Sequence, residues 1–184
     1  MKNTILGLGL CAVGLWAADA PADTSLAQQA DRQIASVEKE VVSLAEAMPA
    51  DKFDFAPTEG EFKGVRTFKQ QASHVAAVIL EVSASVLGEK TPDMGTDENG
   101  PASLKTKEDV VKYVKDAFAY GHKAMQSLTD KNALEMVKSA FGDRQVPRLS
   151  MASVATWHSF DHYGQMVVYL RMNGIVPPAS RGSN

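Results

Sequence analysis

The sequence predicts an all-α protein, an antiparallel four-helix bundle with a long loop between the second and third helices. Three observations carry this prediction. Apolar residues recur at steps of three and four in four separate stretches, no stretch alternates with the period of a half-buried strand, and Gly, Pro and Asp gather between the stretches. A chain of 184 residues can close one hydrophobic core, so a single folded domain is expected.

The first stretch, MKNTILGLGLCAVGLWAADAPAD, stands apart from this pattern. It has a basic start, an apolar segment of roughly a dozen residues and then small residues, which is the layout of a secretory signal. It is too short for a comfortable membrane span. Residues 1–22 are therefore expected to be a signal peptide, and 23–184 the mature domain, periplasmic or secreted. A cut after Ala20 would leave Pro21 at the new terminus, whereas Ala20-Pro21-Ala22 permits a cut before Asp23. The alternative for this stretch is an apolar helix belonging to the fold. Cys11, the only cysteine, lies inside it, so the mature chain would carry no thiol, no disulfide and no Cys-ligated metal. Leu10 before Cys11 and the apolar residues after it argue against a lipid anchor there.

The first helix is marked by Leu26, Ala30, Ile34, Val37, Val41, Leu44 and Met48, one stripe that Pro49 ends. DKFDFAPTEGEFKG then reads as a loop whose Phe53 and Phe55 tuck against the bundle. From Val65 the stripe resumes through Phe68, Ala72, Val75, Ile79, Val82 and Val86, and Gly88 closes this second helix. GEKTPDMGTDENGPAS is a long connection, expected to be a crossover or a lid over one end. The third helix opens at Thr106 or Ser103, has Glu108 and Asp109 in its first turn, and carries Val111, Val114, Phe118, Met125 and Leu128 on its buried side. Gly121 falls on that stripe, either to admit a close neighbour or as a tolerated glycine. A short helical turn is expected around Leu134 to Val137, before Gly142 and Pro147 break it. The fourth helix starts with Ser150 as its cap and stops with Arg171 in its last turn, followed by Gly174 and Pro177-Pro178.

The formal charge of −3, with Lys and Arg scattered among Asp and Glu, leaves no basic stripe for a nucleic-acid backbone. Chemistry concentrates elsewhere, in WHSFDHYGQMVVYLRMNG, where His158 and His162 are four residues apart on a helix. Positions so spaced differ by about 40° in direction and about 6 Å along the axis, so both rings leave one face and can converge on one cation. Met151, Ala155, Met166 and Tyr169 share their strip, which turns the pair into the bundle. A stable divalent site needs a third ligand from a neighbouring helix. His74, beside the Val75 and Ile79 stripe, is the first candidate, and His122 its rival. Ser159 stands where the HExxH proteases carry their glutamate, so that reading loses its general base. Asp161 and Gln165 are available to orient an imidazole; Tyr163, Tyr169, Asp161 and Glu135 are available as bases, though no spacing compels a role.

Two segments, ASHVAAV around His74 and WHSFDHYGQMVVYLRMNGIVPP from Trp157 to Pro178, together with FAPTEGEFKGVRTF, resemble the DinB-like damage-inducible proteins. The resemblance spans nearly the whole mature chain. It implies a four-helix bundle whose His74, His158 and His162 ligate a divalent metal, with no counterpart for His122. Characterised relatives include thiol S-transferases that use bacillithiol or mycothiol, and a mycothiol-dependent isomerase. The resemblance also implies that such bundles can pair as homodimers through helix faces, although no spare apolar stripe is evident in the sequence. The expected protein is thus an exported metal-binding chain holding Zn²⁺ or Ni²⁺ with one position open. It would act on a small molecule as a metal-dependent transferase or hydrolase. The competing expectation is a non-catalytic binding or stress-protective module, or a helical scaffold with a structural metal.

Overall fold

A computed structural model describes residues 24–182, so the expected signal peptide lies outside the described residues. Four helices form the body: α1 (Leu26–Ala47), α2 (Phe68–Leu87), α3 (Lys107–Gln126) and α4 (Arg148–Met172). Three of them begin with the same device. Ser25, Thr67 and Thr106 each accept a hydrogen bond from the backbone N–H three residues on, while Gln28, Gln70 and Asp109 reach back to the cap backbone. Each box satisfies two N–H groups that the helix itself leaves unpaired. Gly88, at φ +69°, ends α2 in the left-handed conformation that a side chain would resist.

The long connection sets the helix directions. Ser73 and Tyr113, both early in their helices, flank Gly100, whereas Glu89 just beyond α2 accepts from Tyr120 and Lys123 near the end of α3. Consequently α2 and α3 run parallel, and residues 88–106 must travel back along the roughly 30 Å of a 20-residue helix. The connection is therefore a crossover. Two pairings are antiparallel: Gln71 and His74 of α2 meet Gln165 and His158 of α4, and Lys107 at the start of α3 donates to Glu46 at the end of α1, so that α1 and α4 run parallel to each other. The principal contacts of α2 are with α3 and α4, those of α1 likewise, and α3 and α4 barely touch.

Burial follows. Phe68, Phe118, Ile34, Leu44, Ile79 and Leu170 are sealed from solvent at the centre. Phe53 and Phe55 close one end edge-on against Phe68 and Tyr169, as the loop composition predicts. In α3 the buried row runs through Val110, Val114, Ala117, Phe118 and Gly121, leaving Val111 only half-buried at its margin. Gly121 is a point of close approach: a Cβ there would lie 2.5 Å from Ile34 Cδ1 and 3.2 Å from Ile79 Cγ2.

Two local expectations are corrected. The segment around Leu134 to Val137 is not a helical turn; Met136–Lys138 is strand β1 and pairs antiparallel with β2 (Gln145–Pro147), Val137 opposite Val146. The helix α4 starts at Arg148, with Pro147 rather than Ser150 at the cap. Both have one cause, since Arg148 N and Leu149 N donate to the carbonyls of Glu135 and Ala133, so the approach to the hairpin supplies the acceptors a serine would otherwise provide. On α4, Trp157, Phe160, Val168 and Met172 form an outward apolar row that the sequence reading does not single out. Among the described residues, no helix is long and apolar enough to cross a membrane.

Candidate metal centre

His74 comes from α2, and His158 and His162 from successive turns of α4. The antiparallel contact of these helices brings the three rings to centroid separations of 4.5 to 5.1 Å. One ring nitrogen from each lies within 4.8 Å of the other two. A tetrahedral zinc site with bonds of about 2.1 Å sets its nitrogens about 3.4 Å apart, a spacing on the same scale. His74 and His162 are buried and His158 is half-buried.

The hydrogen bonds fix how two of the rings are presented. His162 Nδ1 is bonded to Gln71 Oε1, and Gln71 in turn donates to Gln165 Oε1 at 2.9 Å. Because a side-chain carbonyl only accepts, the proton sits on Nδ1 and the Nε2 lone pair is left free. His74 Nδ1 lies 3.3 Å from both the carbonyl and a carboxylate oxygen of Glu98, on the crossover, which settles its tautomer in the same way. His158 Nδ1 is buried without a hydrogen-bond partner among the described residues.

Electrostatics keep the trio neutral. Burial is the largest cause for every ring. The Arg66 guanidinium adds to it at His74, and the neighbouring histidines add to it at His158 and His162. His74 and His158 fall to about 4 and His162 to about 3. At neutral pH the contact between His74 and Glu98 is thus a hydrogen bond to a neutral ring, not an ion pair. Three uncharged imidazoles, each with a ring nitrogen within 4.8 Å of the other two, are the donor set that a borderline divalent ion takes. The buried orphan nitrogen of His158 fits the same assignment, since a buried polar atom is costly until something engages it.

The model of the DinB superfamily matches residues 33–166. The chain belongs to the DinB superfamily. Its fold is similar to two solved structures. A DinB-like protein of Bacillus cereus shares 16% identity at a TM-score of 0.66, over 88% of this chain and 99% of that one. The DinB-like protein YjoA of Bacillus subtilis shares 18% at 0.61, over 79% and 92%. No curated protein matches. At these identities the likeness is one of fold.

In this DinB-superfamily chain, His122 is not part of the cluster. Its Nδ1 lies 2.7 Å from Asp31 and its Nε2 3.0 Å from Glu38, both on α1. Gln165 reaches the site only through Gln71, and Asp161 is exposed. None of the three other groups considered as bases faces the trio: Tyr163 donates to Glu40, Tyr169 to the Arg66 carbonyl, and Glu135 pairs with Arg148. Gln71, Glu98 and Arg66 are the residues that sequence reasoning passed over. A polar glutamine on the otherwise apolar face of α2, one turn before His74, is the signal that could have found the first. The other two sit on connections, where periodicity carries no information. A cleft of about 550 Å³ opens beside His162, with Arg66, Gln70, Asn99 and Gln165 in its walls.

Proposed function

We propose that this chain is an exported metalloprotein in which His74, His158 and His162 would hold Zn²⁺ or Ni²⁺ with at least one position left open, beside the cleft that His162 lines. The observation that carries this reading is the convergence of three neutral imidazoles from two helices, two of them buried and oriented by Gln71 and Glu98. A divalent ion held there supplies Lewis acidity, lowering the pKa of a bound water or thiol toward neutrality. The protein's own contribution is to keep the imidazoles unprotonated and to fix their tautomers. Its cleft admits a small molecule to one side of the site. Reaction types that use such a site are thiol transfer and hydrolysis, and a metal-dependent enzyme of one of these kinds is our leading assignment.

The test is metal analysis of protein recovered from the cell envelope, followed by zinc titration of His74→Ala, His158→Ala, His162→Ala and His122→Ala. The three cluster variants should lose most of their affinity, with His122→Ala unchanged; loss in His122→Ala with retention in His74→Ala refutes the ligand set. Export is checked by N-terminal sequencing of the envelope fraction, expected to begin at Asp23 or Pro21.

A second reading is a structural clamp between α2 and α4, favoured by the glutamine pair that already ties those helices beside His162. It predicts a large fall in melting temperature with chelator, and no metal-dependent turnover of any thiol or ester.

A further inference from the structure

Arg66 immediately precedes Thr67, the cap of α2, and its backbone carbonyl is pinned by the Tyr169 hydroxyl at 3.0 Å. The side chain is half-buried beside the histidine cluster. Its Nε donates to Asn99 Oδ1 at 3.1 Å and its Nη2 to the Asp97 carbonyl at 3.3 Å. Both acceptors are neutral. Among the described residues Arg66 forms no ion pair, whereas the other half-buried arginine beside a cleft, Arg148, is paired with Glu135. A partly desolvated guanidinium without a counter-ion is an unfavourable arrangement for stability alone.

The geometry leaves a specific part of the group free. Two of the five N–H donors are engaged by protein, on Nε and Nη2, so both hydrogens of Nη1 and one of Nη2 have no partner. The outer hydrogens of the two terminal nitrogens are parallel and match the two oxygens of a carboxylate. Arg66 lines the cleft of about 550 Å³ that His162 also lines, and Gln70, Asn99 and Gln165 keep its surroundings polar.

The segment that aims Arg66 is strained. Asp97 and Glu98 have φ of 53° and 56°, a left-handed conformation that costs a residue with a side chain about 1 kcal/mol or more. Their two carbonyls are used separately: that of Asp97 receives Arg66, and that of Glu98 receives His74. One turn of the crossover therefore sets the guanidinium and a cluster imidazole in register with each other. The first turn of α2 adds its own positive dipole end on the same side.

We propose that Arg66 recognises a carboxylate on the molecule approaching the histidine cluster, so that this site takes small, polar, carboxylate-bearing ligands. The inference rests on the metal-site reading above for what the other end of that ligand meets. Arg66 is a specificity residue in this proposal, with no part in bond making.

The test uses full-length mature protein loaded with Co²⁺ and followed by its visible absorption. It is titrated with succinic acid monohydroxamate and with the primary amide of the same molecule, which carries an identical metal-binding end and a neutral far end. The acid should bind about tenfold tighter than the amide in the wild type, the scale of a charged hydrogen-bonded pair. In Arg66→Gln, which keeps a donor to the turn and loses the charge, the two should bind within about twofold of each other, with the amide bound as in the wild type. Equal binding in the wild type, persistence of the preference in Arg66→Gln, or parallel weakening of both ligands overturns the proposal. If the protein takes up no cobalt, the metal reading fails, and Arg66 is then judged on the metal-free protein. There the Arg66 Nε–H resonance should move with succinate and not with succinamide, and equal or absent shifts overturn carboxylate recognition.

Discussion

The same substitution, glycine to alanine inside a helix, should have opposite effects at Gly121 and Gly164. In a helix interior alanine is favoured over glycine by about 1 kcal/mol. At Gly164, exposed on α4, nothing lies within 4 Å of the position a Cβ would take, so Gly164→Ala should gain that amount. At Gly121 the new methyl would sit 2.5 Å from Ile34 Cδ1 and 3.2 Å from Ile79 Cγ2, side chains that are themselves fully buried. Overpacking of this kind costs about 1–3 kcal/mol, which outweighs the propensity gain and leaves a net loss of about 1 kcal/mol. In a domain of this size each kcal/mol moves the melting temperature by about 2–4 °C, so the two variants should melt on opposite sides of the wild type. Thermal and urea unfolding followed by circular dichroism in chelator read the difference. Ile34→Val removes the offending Cδ1; alone it should cost about 0.5–1.5 kcal/mol, but in Gly121→Ala it should cost nothing or restore stability. If Gly121→Ala is as stable as Gly164→Ala, or if the valine brings no relief, three-helix close approach at Gly121 is not what the glycine provides.

Gln71→Leu leaves the His162 Nδ1–H without its acceptor; calorimetric zinc titration should show about 10–100-fold weaker binding with helicity retained, and unchanged affinity would remove Gln71 from the site. With His74 and His158 near 4 and His162 near 3, protons should not compete for the cluster until the pH falls below about 5, instead of near 6.5 as for ordinary histidines, and the pH profile of zinc affinity tests this. The same depression means that between pH 6.5 and about 4 the unfolded chain binds protons the folded one refuses, so the metal-free protein should lose stability as pH falls through that window, read from urea midpoints at pH 7, 6 and 5. The opposite sign holds at His122: burial works to lower it, but hydrogen bonds and charge from Asp31 and Glu38 together hold it above the usual histidine range. Its contribution is complete below the unfolded value and disappears as pH rises through the raised one, so His122→Gln should destabilise more at pH 6 than at pH 9, and equal effects would refute charged pairing of His122 with Asp31 and Glu38.

The helices were legible because their sequence signals are local. Steps of three and four mark the buried stripes, and Gly88 and Thr106 mark ends that need only a few neighbouring residues to form, whereas the capping Thr67 of α2 went unread. His158 and His162 were legible for the same reason, one turn apart on one face. The hairpin was not, because strands of three residues are too short to show alternation, and the start of α4 depends on carbonyls some 13 to 16 residues earlier in the chain. The parallel course of α2 and α3 follows from where the crossover lands, which no periodicity encodes. Arg66 met Asn99 and Asp97 across 31 to 33 residues, and Gln71 met His162 across 91. Polar partnerships at that separation emerge only once the backbone has been arranged.

The histidines stand on rigid helices, while Arg66 and the turn that steers it belong to the stretches of chain between helices. Gripping and choosing are thereby assigned to different parts of the molecule. Asp97 and Asn99, which hold only Arg66, can change with little disturbance to α2 and α4, so a new preference for what enters the cleft can arise while Glu98 still meets His74 and the anchoring imidazoles keep their places.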